Sequence, residues 1–235
     1  MINLNSFSSF THTSTPSLLK KGWFIAAPAR DYRTEIAAGH WLNVAHPSTT
    51  TPDYIQRIVI IGSSGSGKST LARALGRQLN IHVIHLDKHF WGPGWVPTND
   101  AVWSRCVQTM VQAPRWIIDG NYRRTLDIRL QTADTVIFLD MPRLTCIGRA
   151  IKRRLQYAFT ARPDIASGCD EQIFDPSLFA FLRRIWNYPY RARPDVLRRL
   201  HQLRTTQQLV WLRSPQEVNR FLAAVEKQPE PSKSA

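Results

Sequence analysis

Cysteine and acid are the scarce materials of this chain, and each scarcity closes off a class of protein. The three cysteines, Cys106, Cys146 and Cys169, are an odd number at wide spacing with no C-x-x-C pair, which fits neither a disulfide framework nor a zinc site. They read as reduced thiols of a cytoplasmic protein. Long apolar runs are missing too. Stretches such as 23–28 and 136–139 fall far short of the ~20 residues a membrane helix needs, so no contact with a membrane is expected. Asp and Glu number 17 against 31 Lys and Arg in 235 residues, a formal charge of +14, and a protein that only binds one nucleotide has no need to be this basic. Polyanions are therefore expected among its ligands. The surplus concentrates between 143 and 204, in Arg149, Lys152, Arg153, Arg154, Arg183, Arg184, Arg191, Arg193, Arg198, Arg199 and Arg204. Three readings compete for it: arginines that close over the phosphates of small substrates, a basic C-terminal half that touches nucleic acid, or a solvated basic surface.

Regular periodicity is absent from residues 1–54, which are rich in Ser, Thr, Asn and Pro and carry no acid before Asp31. They read as a largely disordered extension; a transit peptide fits their acid-poor character, and an upstream extension fits it better. From 56 onward the pattern changes. Short apolar segments at 57–61, 82–86, 116–119, 135–139 and 208–212 alternate with helical patterns at 68–79, 100–112, 126–131, 144–159, 176–186, 194–203 and 215–227. Such alternation predicts an α/β domain over 55–227, in three layers, with a five-stranded parallel sheet covered by helices on both faces. The last residues, 228–235, read as a frayed tail.

What is present in force is a phosphate-binding loop. The apolar strand 57–61 runs directly into Gly62-Ser63-Ser64-Gly65-Ser66-Gly67-Lys68-Ser69-Thr70, the pattern Gly-x4-Gly-Lys-Ser at the start of a helix. Backbone N–H groups from Ser63 to Ser69 are placed to cradle the phosphates of ATP, Lys68 to reach the β- and γ-phosphates, and the Ser69 hydroxyl to ligate Mg²⁺.

In an open parallel sheet, ligands gather beyond the carboxyl ends of the strands, so polar residues there come next. Asp87, Asp119 and Asp140 each follow an apolar segment, and each can either act or simply cap the next turn. Asp119 is the expected carboxylate that orients Mg²⁺ water, and Asp87 is placed either to accept the proton of an attacking hydroxyl or to hold the acceptor in line. For Asp140, with Pro142 opening a helix, the capping role is preferred. Asn121, Arg123 and Arg124 follow Asp119 and are candidates to clamp an anionic acceptor. Arg149 and Arg153 share a helix face, with Arg154 beside them, and read as catalytic charges carried by a lid at about 149–175. Trp91 and Trp95 either wall an acceptor pocket or pack their own turn. Leu178, Phe179, Phe181, Leu182, Ile185 and Trp186 recur at helical spacing and read as core.

Five stretches in order, Gly-Ser-Ser-Gly-Ser-Gly-Lys-Ser-Thr-Leu-Ala, His-Leu-Asp-Lys-His-Phe-Trp-Gly-Pro-Gly-Trp-Val-Pro, Trp-Ile-Ile-Asp-Gly-Asn-Tyr, Ala-Asp-Thr-Val-Ile-Phe-Leu-Asp-Met-Pro and Lys-Arg-Arg, together resemble the bacterial DNA topology modulation (FlaR-like) proteins. Those look like adenylate-kinase-related P-loop kinases. The resemblance covers about 56–227 and implies a nucleoside-monophosphate-kinase-like sheet, ATP and Mg²⁺ at Lys68 and Ser69, and an arginine-bearing lid. Asp119-Gly120 followed by Arg123 is similar to the Asp-Gly-Phe-Pro-Arg segment of adenylate kinases, whose arginine contacts the monophosphate, with Asn121-Tyr122 standing where that family has Phe-Pro. Asp87 followed by Phe90 instead looks like the kinases of nucleosides and small alcohols, whose aspartate activates a hydroxyl. The expectation is an ATP-dependent phosphotransferase for a small acceptor, with an ATP-regulated nucleic-acid-binding protein as the alternative.

Overall fold

The structure, a computed structural model, describes residues 55–157, 164–166, 168–169 and 177–226. The readings of 1–54 as a disordered extension, of 228–235 as a tail and of much of the 149–175 lid therefore lie outside the described residues.

Five strands form one parallel sheet in the order β2-β5-β1-β6-β7, where β1 is Arg57–Gly62, β2 Val83–His85, β5 Trp116–Asp119, β6 Thr135–Leu139 and β7 Gln208–Leu212. A separate antiparallel pair, β3 (Trp91–Gly92) and β4 (Val96–Pro97), turns through a 3₁₀ segment at Pro93–Trp95. The helices are α1 (Lys68–Leu79), α2 (Leu86–Phe90), α3 (Asp100–Met110), α4 (Leu126–Thr132), α5 (Arg143–Gln156), α6 (Ser177–Arg191), α7 (Arg193–Leu200) and α8 (Pro215–Glu226), with a second 3₁₀ turn at Arg123–Thr125.

Alternation along the strands sorts the apolar residues into two cores. Ile58 and Ile60 of β1, Ile117, Ile137 and Leu139, Val210 and Leu212 point to one face, where Leu71, Ala72 and Leu75 of α1, Cys146 and Ala150 of α5, Ile185 of α6, and Phe221 and Val225 of α8 cover them. Val59 and Ile61, Trp116, Ile118, Val136, Phe138 and Leu209 point to the other, under Trp103 and Val107 of α3, Leu126 and Leu130 of α4, and Val196 and Leu200 of α7. Period-two alternation with both faces apolar is what a sheet buried between two helical layers requires. The chain is thus the expected three-layer α/β P-loop fold. Strand β1 is flanked by β5 and β6, which belong to different halves of the sheet, so the loop after β1 sits at the point where the strand order reverses and a crevice opens.

Several boundaries move. Strand β2 covers only 83–85, and Asp87 lies in the first turn of α2 instead of at a strand end. Helix α6 continues to Arg191 with Pro189 inside it, past the expected stop at 186; a proline this near the C-terminus removes only one late N–H bond. Along α6 only part of the expected core stripe is interior. Ile185 is buried and Phe181 and Leu182 pack on the core, but Phe179 is 76% exposed and Trp186 is 44% exposed, with the Arg143 guanidinium 4.0 Å above its ring. Among the described residues the helix is covered on one side, and its aromatic stripe runs out into the cleft and onto the surface. Among the described residues, no helix is long and apolar enough to cross a membrane.

Candidate active site

The phosphate loop takes its shape from two glycines that nothing else can replace. Gly62 closes β1 at φ +150°, where a Cβ would stand 2.4 Å from the Leu139 carbonyl oxygen. Gly65 lies at φ +78°, where a Cβ would stand 2.1 Å from the Cys146 carbonyl oxygen of α5. The loop therefore nests directly against β6 and α5, and α1 starts from it, its first residues lining the crevice.

Lys68 folds back over the loop, donating to the carbonyls of Gly62 at 3.0 Å and Ser63 at 2.9 Å. Desolvation lowers the pKa of its ammonium, and the negative charges of Asp119 and Asp87 oppose that shift. Ser69 Oγ donates to Asp119 Oδ2 at 2.7 Å. The other oxygen of Asp119 lies 2.6 Å from His85 Nδ1. The parallel register sets this trio, since Asp119 pairs with Ile60 of β1 on one side and His85 of β2 on the other. A hydroxyl and a carboxylate oxygen in contact beside the loop form the hard-oxygen donor pair that suits Mg²⁺, an ion that keeps waters and phosphate oxygens for its remaining positions.

One cleft of about 1650 Å³ holds nearly all the expected site residues: the loop from Ser63 to Thr70, Asp87, Asp119, Asn121, Arg123, Arg149 and Arg153 line it. Gly62 lies beneath as the end of β1. Arg149 Nη1 donates to the Ser66 carbonyl at 3.1 Å and so lies over the loop. Arg123 lines the cleft with Nη1 3.7 Å from Asp195 Oδ2 of α7. Two residues stand differently. The side-chain oxygen of Asn121 accepts from the Gly62 N–H at 3.1 Å, tying the loop after β5 to the phosphate loop. Arg124 turns away from the cleft into an exposed pair with Asp100. Asp140 is bound at 2.9 Å through both oxygens by Arg193 of α7, and Trp211 Nε1 donates to it at 3.1 Å. It joins α7 to the sheet instead of capping a helix.

Three partners of this site carry no local signal in the sequence: His85, Tyr122 and Arg129. The Tyr122 hydroxyl donates to Asp87 Oδ1 at 2.6 Å. Arg129 is fully buried, and its guanidinium donates to the carbonyls of Gly120 and Asn121 at 2.8 Å and of Tyr122 at 3.1 Å. Burial pushes its pKa down to about 9, opposed by the negative charge of Asp119. It thus stays charged at neutral pH and staples the loop after β5 in place. Trp91 and Trp95 both line the cleft, their ring centroids 5.6 Å apart. Gly94 N–H, in their turn, donates to the Gly168 carbonyl at 2.8 Å.

The basic surplus can now be assigned. Arg149, Lys152, Arg153, Arg154, Arg183, Arg184 and Arg191 line the cleft. Arg193 holds Asp140, Arg198 and Arg199 pair with Asp195, and Arg204 donates to the Gln131 carbonyl. The cations that suggested a nucleic-acid face thus line the cleft or pair within the framework, and no observation supports nucleic acid as a ligand.

No family model matches the chain, and no curated protein matches it in sequence. Similar solved structures include a shikimate kinase from Acinetobacter baumannii in complex with shikimate, at 13% identity and TM-score 0.48, covering 74% of this chain and 92% of that one. Another is a gluconokinase from Sinorhizobium meliloti 1021, at 15% identity and TM-score 0.41, covering 74% and 95%. A shikimate kinase from Bacteroides thetaiotaomicron follows at 17% identity and TM-score 0.42, covering 73% and 97%.

Proposed function

We propose that the chain transfers the γ-phosphoryl group of ATP to a hydroxyl of a small acceptor. The observation that carries this reading is that Asp87 opens into the same cleft as the phosphate loop and the Ser69–Asp119 pair. A carboxylate that shares a cleft with the phosphate loop is available to hold an attacking hydroxyl.

In this reading the loop N–H groups and the N-terminus of α1 bind the phosphates, and Lys68 leaves its two carbonyls to reach the β- and γ-oxygens. Ser69 and Asp119 would hold Mg²⁺, which when bound supplies charge neutralisation on the phosphates. Asp87 accepts the acceptor's hydroxyl proton as its oxygen forms the new bond to phosphorus, the bridging oxygen departs with ADP, and Arg149 and Arg153 neutralise charge on the moving group. Arg123 meets an anionic group of the acceptor. The related reading, a monophosphate acceptor, gives Arg123 the leading role and Asp87 a secondary one.

The test is transfer of labelled γ-phosphate from MgATP by the full chain to a panel of nucleosides, nucleoside monophosphates, hydroxy acids and small alcohols. Label in a hydroxyl acceptor, lost in Lys68→Ala, supports the proposal. Tight MgATP binding with no acceptor labelled overturns it.

A further inference from the structure

We propose that Tyr122 is the positioning residue of the acceptor side: its hydroxyl holds Asp87 Oδ1 and thereby presents Oδ2 alone to the acceptor. This rests on the reading of Asp87 as the group that meets the acceptor hydroxyl. The contact is 2.6 Å long and joins residues on two different elements, α2 and the loop after β5. An aspartate side chain in the first turn of a five-residue helix has little of its own to select one rotamer, and a hydrogen bond from a rigid donor supplies the choice.

The donor is rigid for reasons that can be traced. The Tyr122 ring lies 4.6 Å from that of Phe90 and 5.1 Å from that of Trp103, centroid to centroid, with Trp103 buried. Its backbone sits at φ +20°, a conformation that L-residues rarely adopt and that persists only where surroundings over-determine it. Those surroundings are Arg129, bound to the carbonyls of Gly120, Asn121 and Tyr122, and Thr125, whose N–H and hydroxyl both donate to the Tyr122 carbonyl at 3.0 and 3.2 Å. Asn121 locks the same loop to Gly62. The phosphate loop and the Asp87 carboxylate are therefore registered to each other through two consecutive residues, Asn121 and Tyr122. Desolvation first, and then the charge and hydrogen bond of Asp87, raise the Tyr122 pKa far above its ordinary range. The phenol remains a donor across all working pH.

Tyr122→Phe removes the donor and keeps the ring that packs on Phe90 and Trp103. In the full chain, two readouts decide. The three-bond Hα–Hβ couplings of Asp87 report one χ1 rotamer in the parent and rotamer averaging in Tyr122→Phe. With MgATP and the acceptor found by the panel, kcat falls roughly ten- to a hundredfold while the KM for ATP stays within about twofold, the signature of lost alignment. In an Asp87→Asn background the same substitution costs less than about twofold, because Tyr122 acts through Asp87. Unchanged Asp87 couplings in Tyr122→Phe overturn the proposal, as does an equal loss in both backgrounds. If the parent labels no acceptor, the phosphotransfer reading fails and the Asp87 couplings alone decide this one.

Discussion

Replacing Gly65 with alanine probes how tightly the phosphate loop is pressed onto α5. At φ +78° an added Cβ costs an L-residue roughly 1–2 kcal/mol of backbone strain. It also stands 2.1 Å from the Cys146 carbonyl oxygen and 2.9 Å from its carbonyl carbon, so relief requires backbone movement and not a rotamer change. Overpacking of this kind adds ~1–3 kcal/mol, for a total of roughly 2–5 kcal/mol. For a domain of this size that is a fall in Tm of roughly 4–20 °C. The displaced element is α5, which brings Arg149 and Arg153 to the cleft, so MgATP affinity falls at least about tenfold, equivalent to ~1.4 kcal/mol. Gly94→Ala is the matched control. Its φ is +72° but no atom of the described residues lies within 4 Å of the added Cβ, so it carries the strain of roughly 1–2 kcal/mol alone and leaves MgATP binding unchanged. Scanning calorimetry gives Tm and titration calorimetry with a non-hydrolysable ATP analogue gives Kd. A Gly65→Ala protein with the Tm and affinity of Gly94→Ala would refute the argument that loop and α5 are in unyielding contact.

Further substitutions separate the roles within the cleft. Lys68→Ala abolishes transfer, and Asp87→Asn slows kcat at least about a hundredfold with the KM for ATP within about twofold; a parallel loss of ATP affinity would assign Asp87 to the metal instead. Asp119→Asn raises the Mg²⁺ concentration needed for half-maximal turnover, read by magnesium titration, and an unchanged requirement would remove Asp119 from the metal site. The Cys146 thiol, pushed up in pKa by its burial, resists alkylation in the native protein and reacts on unfolding, as mass spectrometry would show. Burial also raises the pKa of Asp134, against the N–H groups of Arg57 and Gln56 that bind its carboxylate. The native state then holds this proton more tightly than the unfolded chain, so its contribution to stability is present at low pH and is lost as pH rises through the folded pKa. Urea midpoints of the parent minus those of Asp134→Asn should therefore fall with rising pH across the carboxylate range, and a rising difference would contradict the assignment.

Much of the fold was legible because the sheet is buried on both faces. Uninterrupted apolar runs such as 58–61 and 136–139 read as buried strands, the more so when Gly-x4-Gly-Lys-Ser follows the first. The antiparallel pair at 91–97 was not legible, since strands of two residues carry no period and the turn is held from outside by Gly168. Within the site, Lys68 and Ser69 could be singled out because the Gly-x4-Gly-Lys-Ser spacing fixes them to a helix start, and Asp119 because it ends an apolar run; the structure brings all three to one cleft. Asn121 and Arg124 have partners the sequence did not show, the Gly62 N–H and Asp100, for one physical reason: after a strand, polar side chains are available both to ligands and to the protein's own groups, and only the register decides. Arg129 is the clearest case. A charged residue on a helix is expected to face solvent, yet here three carbonyls turned inward by the loop after β5 leave a cage that a guanidinium fills.

The most direct measurement is ³¹P NMR of the full chain with MgATP and each candidate acceptor. The account predicts a new phosphomonoester resonance growing with ADP, absent in Lys68→Ala and slowed in Asp87→Asn. A phosphoanhydride product would transfer the central role from Asp87 to Arg123. Inorganic phosphate alone, or no turnover, would contradict the claim that this cleft phosphorylates a hydroxyl.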